Sequence, residues 1–378
     1  MPNPVSWAHA PLEAATNKPA VNTVWMRMAT RIPAHRPLYI PPMTEVARAH
    51  HHVAQNRKRC CRTWYWPAHP MDLSALENRL VKNHARLLPF ARQHNLTAWR
   101  LYDLDMPEYR YTVDAYADHV VVTALSGRDL DAQQQQAIGV LATRILGFPA
   151  QHVHHKVRQK HIWGQQQYEK QDQTGERIMV EEQGLRFWVN LTDYLDVGLF
   201  LDHRKTRQMV RQESQGKNVL NLFCYTGAFT VYAAAGGAVG TTSVDLSNTY
   251  LQWTRDNLVL NNLDGPQHVT LREDVNAWLV APGGPRFDII VLDPPSHSVS
   301  KRMEGSLDIQ RDHATLVRAA IQKLTPGGVL YFSTNFRGFV PDATVLGPPQ
   351  GRELTPASLP QDIRQKDIHR CWRVVAPS

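Results

Sequence analysis

Cysteine is scarce in this chain: four residues in 378, Cys60, Cys61, Cys224 and Cys371, with no C-x-x-C pair and no histidine at finger spacing. That pattern argues against a disulfide-stapled fold and against a structural zinc, so no metal is expected, and it suits a reducing compartment. No run of about 18 apolar residues occurs, so no transmembrane helix is expected. The opening MPNPVSWAHAPLEA has neither the basic nor the apolar region of a signal peptide, which predicts a cytoplasmic protein with no membrane partner. A G-x-G-x-x-G turn is also missing, so nothing predicts a cradle for a dinucleotide pyrophosphate. Acid is in deficit as well: 34 Asp and Glu against 42 Lys and Arg leave a net charge of +8, an excess that favours polyanionic partners.

A hydrophobic content of 43% is enough for a large core, and the length suits two or three domains. Residues 1–72 are rich in Pro, Ala, His and Arg and show little periodicity, which predicts a basic, poorly ordered tail. It ends in RKRCCR (Arg57–Arg62) followed by TWYWP, a mixture of cations and aromatics that suits RNA. Residues 73–192 read as a small α+β domain. Ser74 with Glu77 is a capping-box pair, and Leu76, Leu80, Leu87 and Phe90 give a helical apolar face. Strands follow within 98–125, then a helix from about Asp131 to Leu146. Two further strands form a hairpin that turns at Gln183-Gly184. From residue 193 to 378 strands alternate with helices, which predicts an α/β domain with a mostly parallel, doubly wound sheet and ligands at the strands' carboxyl ends.

Three of those strand ends carry an aspartate. NVLNLFCYTGAFTV is a strand, a tight turn with one glycine, Gly227, and a helix; one close backbone approach at Thr226-Gly227 suits a ligand with a nucleoside and an amino-acid end. Asp245 ends the next strand about 18 residues on, the distance at which an acid receives ribose hydroxyls. Asp274 ends the third, placed to accept an exocyclic amine of adenine. Asp293 ends the fourth, FDIIVLDPPS, where Pro294 and Pro295 hold the chain stiff as it leaves the sheet toward Ser296.

The order LNLFCYTG, VDLS, REDV, LDPPS resembles that of the class I S-adenosylmethionine-dependent methyltransferases, with their Rossmann-like fold. Longer segments, NLTDYLDVGLFLDHRKTRQMV, LDPPSHSVSKRMEGSLDIQRDH, STNFRGF and QDIRQKDIHRCW, resemble the C-terminal, RlmK-type half of the bifunctional RlmKL family of 23S rRNA methyltransferases, from about Leu76 to Val375. The resemblance implies S-adenosyl-L-methionine as cofactor and 7-methylguanosine at the 23S position conventionally numbered 2069 as product. It further implies 23S rRNA or a large-subunit assembly particle as partner, and residues 73–192 as RNA-contacting. By the same resemblance Phe200 lies against adenosine and Asp202, His203 or Arg204 near the methionine end. Asn221, Phe223, Tyr225, Thr226, Gly227, Asp245, Leu246, Asp274 and Asp293 complete the cofactor set. The family's THUMP-containing half has no counterpart here, which leaves room for a separately encoded partner, and the first 72 residues match nothing in it.

The target atom that the resemblance implies agrees with what the site lacks. Related enzymes acting on cytosine C5 need a cysteine nucleophile after the strand that here reads LYFSTN, and Ser333, Thr334 and Asn335 stand there instead. Cys224 reads as a small packed residue. Guanine N7 has an exposed lone pair, so Asp293, Pro294, Pro295 and Ser296 are expected to orient the purine rather than remove a proton. Lys301, Arg302, Arg337 and Phe339 are expected to grip phosphates and stack on a base. The alternatives are a methyltransferase of the same fold acting on cytosine C5 or an exocyclic amine, and a non-catalytic RNA-binding assembly factor.

Overall fold

A computed structural model describes residues 72–125, 132–158, 174–299 and 306–378. The N-terminal tail with Cys60, Cys61 and the arginine cluster lies outside the described residues, as do Lys301 and Arg302.

Helix α1 (Ser74–Gln93) buries Leu76, Leu80, Leu87 and Ala91 at helical spacing. The capping box expected of Ser74 and Glu77 does not form. The Asp72 carboxylate accepts from the Ser74 amide at 3.0 Å, and Glu77 pairs with Arg144 at 2.6 Å. An acceptor two residues before the first turn reaches the free amide easily, which places Ser74 inside the helix. Strands β1 (Ala98–Asp103), β2 (Tyr111–Tyr116) and β3 (His119–Leu125) are antiparallel neighbours. Helix α2 (Ala132–Leu146) crosses over to β4 (Val153–Arg158), which runs parallel to β3. This four-stranded sheet has a core of its own, built on Leu76, Leu80, Leu101, Val113, Val120, Val122 and Ile138. β5 (Ile178–Glu182) and β6 (Leu185–Val189) form the expected hairpin, with Gln183 at φ +54° and Gly184 at φ +80°, the left-handed pair that a two-residue turn requires.

The alternating region begins with a single 3-10 turn, Leu201–His203, and α3 (Arg204–Glu213). β7 (Asn218–Leu222), α4 (Ala228–Ala235), β8 (Gly240–Asp245), α5 (Asn248–Leu260), β9 (His268–Arg272), α6 (Val275–Val280) and β10 (Phe287–Leu292) follow. A short antiparallel pair, β11 (His297–Val299) with β12 (Ser306–Asp308), precedes α7 (Ile309–Gln322) and β13 (Leu324–Thr334). The chain then runs through α8 (Ala343–Leu346), β14 (Gly351–Glu353), α9 (Thr355–Ser358) and β15 (Arg370–Val375). The seven-stranded sheet has the order β14-β15-β13-β10-β7-β8-β9, parallel from β13 to β9, with β15 antiparallel between β13 and β14.

Successive strand residues point to opposite faces, and both faces are apolar. Leu220, Leu222, Ile290, Leu292, Leu330 and Phe332 pack with Leu279, Leu316 and Val317 of α6 and α7. Val219, Ile289, Val291, Val329 and Tyr331 pack with Val210, Phe229 and Ala233 of α3 and α4. Burial on both faces is what a parallel sheet demands. The chain steps outward from β7 through β8 to β9 in one direction and from β10 to β13 in the other. The switch point therefore lies between the carboxyl ends of β7 and β10, where an open α/β sheet receives a ligand.

A buried charge network ties the small sheet, the hairpin and the C-terminal segment to α3. Arg204, 1% exposed, pairs with Glu182 at 2.8 Å and with Asp362 at 2.7 Å, and donates to the Ala98 carbonyl at 2.8 Å. Arg207 meets the other oxygen of Glu182 at 2.6 Å, and Tyr232 donates to it at 2.9 Å. Asp362 also accepts from the Arg100 amide at 3.0 Å. Every member is satisfied, which is the condition for burying charge at tolerable cost.

Candidate active site

The turn after β7 is strained. Phe223 at φ +53° and Tyr225 at φ +50° occupy the left-handed region without being glycine, and Gly227 follows at φ +75°. A Cβ at Gly227 would stand 2.3 Å from Thr254 Cγ2, so no other residue fits. Strain of this kind persists where a site requires the backbone to approach a ligand. The turn presents its Tyr225 amide to Asp245 Oδ2 at 3.0 Å, while Ser247 donates to Oδ1 at 2.9 Å. Burial pushes the Asp245 carboxyl up to about 6, against the amides of Ser247 and Tyr225 that hold it down. An ionised carboxylate accepts at about four lone-pair sites, and the backbone amides around it leave part of that capacity to a ribose diol. Phe200 remains exposed for so large an apolar ring, 5.3 Å from the Tyr225 ring, offering a face to a purine.

Across the switch point, Asp293 leaves β10. Its Oδ1 accepts from Ser333 Oγ at 2.6 Å, and its Oδ2 lies 3.6 Å from His203 Nε2. Ser296 donates to Asn335 Oδ1 at 2.6 Å, so both ends of the Asp-Pro-Pro-Ser segment are fixed to the end of β13. Behind it, the His203 ring stacks on His369 at 4.3 Å, and His369 Nδ1 lies 2.8 Å from Asp202 Oδ2. Burial lowers the pKa of His203 in spite of Asp293 and Asp202, so its imidazole is neutral at pH 7. Asp202 stays ionised: although burial opposes it, the hydrogen bond from His369 helps hold its carboxyl far below the usual range. Two carboxylates beside a neutral imidazole suit the sulfonium and ammonium of S-adenosylmethionine. The residues present fit that cofactor.

Phe200, Tyr225, Gly227 and Asp245 gather on one side of the crevice, and Asp202, His203, Asp293, Pro294, Pro295 and Ser296 on the other. Phe223 and Leu246 belong to the same strand-end loops. Several expected ligands do other work. The Asn221 amide donates to Thr230 at 2.9 Å, and the Thr226 hydroxyl to the Gly198 carbonyl at 2.6 Å, both buried. Asp274 caps α6 through the Asn276 amide at 2.9 Å. Two expectations need correction. Arg204 is no cofactor ligand, because its guanidinium is consumed by Glu182, Asp362 and the Ala98 carbonyl. Phe339 cannot stack on a base: it is 3% exposed, with Trp372 at 5.5 Å and Phe332 at 5.9 Å. Arg337 is exposed and reaches Gln365 at 2.6 Å and Asp367 at 3.6 Å. Sequence reasoning missed His369 as part of this site; it lay unremarked in QDIRQKDIHRCW, and only the sheet order carries it to Asp202.

A strained turn after the first parallel strand, an acid after the second and a ledge at the switch point define an S-adenosylmethionine-dependent methyltransferase. A profile of that family matches residues 117–352. Ribosomal RNA large subunit methyltransferase K of Neisseria meningitidis serogroup B is 43% identical over 311 residues, which cover 80% of this chain and 87% of that protein. Ribosomal RNA large subunit methyltransferase K/L of Chromohalobacter salexigens is 47% identical over 304 residues, 79% of this chain but 41% of that longer protein. Among solved structures, a Streptococcus mutans SAM-dependent methyltransferase superposes with a TM-score of 0.66 at 24% identity, over 81% of this chain and 82% of that one. SMU.776, a methyltransferase complexed with SAH, gives 0.67 over the same shares. At that identity these two speak for the fold. The chain belongs to the S-adenosylmethionine-dependent methyltransferases and, within them, to the ribosomal RNA large subunit methyltransferase K family; its cofactor is S-adenosylmethionine.

Proposed function

We propose that this chain methylates N7 of a guanine in 23S rRNA, at the 2069-type position, during large-subunit assembly in the cytoplasm. The names of its relatives support a ribosomal RNA substrate. The observation that carries the choice of atom is the lack of an available thiol among the described residues at the crevice. Ser333 stands where a C5 enzyme needs cysteine, and it is bonded to Asp293. Burial raises the Cys224 thiol well above its usual range and the Cys371 thiol to about 12, so neither supplies a thiolate. N7 needs no such activation. Bound S-adenosylmethionine would supply the methyl group, its carbon–sulfur bond breaking as the bond to N7 forms, so that the positive charge would pass from the sulfonium to the purine. A fixed carboxylate at Asp293 beside neutral His203 stabilises that charge as it develops. A purine in folded RNA must be unstacked to reach the ledge. Residues 73–192, the basic tail 1–72, Lys301, Arg302 and Arg337 are the RNA-contacting parts of this reading, and a separately encoded THUMP-containing methyltransferase is a candidate partner.

The test is nucleoside mass spectrometry of unmodified 23S rRNA after incubation with the protein and methyl-labelled S-adenosylmethionine. Labelled 7-methylguanosine is the expected product. Labelled 5-methylcytidine or an N-methylated exocyclic amine would overturn the choice of atom. Cofactor binding without label on either naked rRNA or pre-ribosomal particles would favour the non-catalytic assembly factor.

A further inference from the structure

Away from the crevice, the β2–β3 turn and the start of β4 bring one acid and three imidazoles together. Ala117 at φ +53° turns the chain into Asp118, and β3 and β4 pair in parallel with Val120 beside Val153 and Val121 beside His154. His119 and His152 are therefore neighbours just before the paired residues. Asp118 Oδ2 lies 3.1 Å from His152 Nδ1, and Asp118 Oδ1 lies 3.5 Å from His119 Nε2. His152 Nδ1 is buried and makes no aligned hydrogen bond, although the carboxylate is so near. On the far side of its ring, His119 Nδ1 is 2.9 Å from His154 Nε2.

Tetrahedral zinc with bonds of about 2.0–2.2 Å sets its donor atoms about 3.3 Å apart; each imidazole already lies near that distance from one oxygen of Asp118, and one ligand atom of each of the three residues lies within 4.8 Å of the others. A proton on His119 Nδ1 shared with His154 leaves the lone pair on Nε2, facing Asp118, which is how an outer imidazole fixes the tautomer of a ligand. Imidazole and carboxylate donors suit zinc among the divalent ions. We propose that Asp118, His119 and His152 form a zinc(II) site, with His154 as its outer-sphere support and solvent, reached through exposed Asp118, as the fourth ligand. The rings of His119 and His152 now stack 4.1 Å apart and nearly parallel, so coordination requires one of them to rotate about its Cβ–Cγ bond until both lone pairs converge. Bound zinc would pin the β2–β3 turn to the start of β4.

The test is titration of the metal-free full chain with cobalt(II) and then zinc(II). The tail carries His50, His51, His52, Cys60 and Cys61, so the cobalt spectrum must separate the two. Expected is one site with tetrahedral d–d absorption and no thiolate-to-cobalt band, lost in the double variant Asp118→Asn/His152→Ala. His154→Ala should weaken it about 10–100-fold. His155→Ala, whose ring reaches Gln136 at 2.7 Å, should leave it unchanged. Undiminished S-adenosylmethionine binding shows that each variant is folded. Absence of the d–d band, or its retention by the double variant, would overturn the proposal, and retention together with a thiolate band would assign the metal to the tail.

Discussion

His203 Nε2 lies 3.6 Å from Asp293 Oδ2 while the same ring stacks on His369, so a residue 90 positions before Asp293 links its carboxylate to a residue 76 positions after it. The charge of Asp293 can be removed without altering its shape. Asp293→Asn should lower turnover about 100-fold or more, as loss of one preorganised electrostatic group does elsewhere. Cofactor affinity, read by calorimetry, should fall by a smaller factor than turnover, because the same carboxylate faces the cationic end of the cofactor. Turnover equal to that of the unmodified chain would remove Asp293 from the chemistry.

Asp245 sets a pH dependence on cofactor binding. Its carboxyl is raised to about 6 in the ligand-free protein, and only the ionised form offers a ribose diol its free lone pairs. Protonation dominates below that value, so the dissociation constant should rise about tenfold between pH 7 and pH 5 and level off above pH 7. Asp245→Asn should bind weakly at every pH and flatten the profile. A profile unchanged by that substitution would place the titrating group elsewhere.

Cys224→Ser and Cys371→Ser should each retain most methyl transfer, since neither thiol ionises in the accessible pH range. Both side chains are buried, so a stability loss of roughly 1 kcal/mol in chemical denaturation is expected for each. Abolished turnover with cofactor binding intact would point to a covalent intermediate.

Phe339→Ala should act on stability. Removing a ring held between Phe332, Trp372 and His313 leaves a cavity worth about 3–5 kcal/mol, visible as a lower denaturation midpoint. RNA affinity of the folded fraction should not change. A selective loss of RNA binding at full stability would restore the ring to the surface.

The alternation of strand and helix was legible because a doubly buried parallel sheet writes long apolar runs into its strands, and Asp245, Asp274 and Asp293 stood out where those runs stop. The capping box of α1 was misread, since Asp72 and Ser74 are both capable acceptors and only local geometry chooses. Arg204 and Phe339 were misplaced for a different reason. A charged residue in a site-like motif and an aromatic residue in a polar loop look exposed until their partners are known, and those partners, Glu182, Asp362 and Trp372, come from distant segments. The same distance hid His369. Periodicity reports which way a residue faces within its own element; it says nothing about which other element arrives to meet it.

β15 lies between β13 and β14, yet it is the last of the described elements to be synthesised. Until residues 369–375 have left the ribosome, Asp202 has no His369, β14 has no neighbour and Trp372 is missing from beside Phe339. A growing chain can therefore complete its small sheet early but cannot finish the methyl-transfer crevice. Maturation of the crevice is timed by the end of this segment's translation, and a fragment that stops a few residues short should be inert, however much of its sequence is intact.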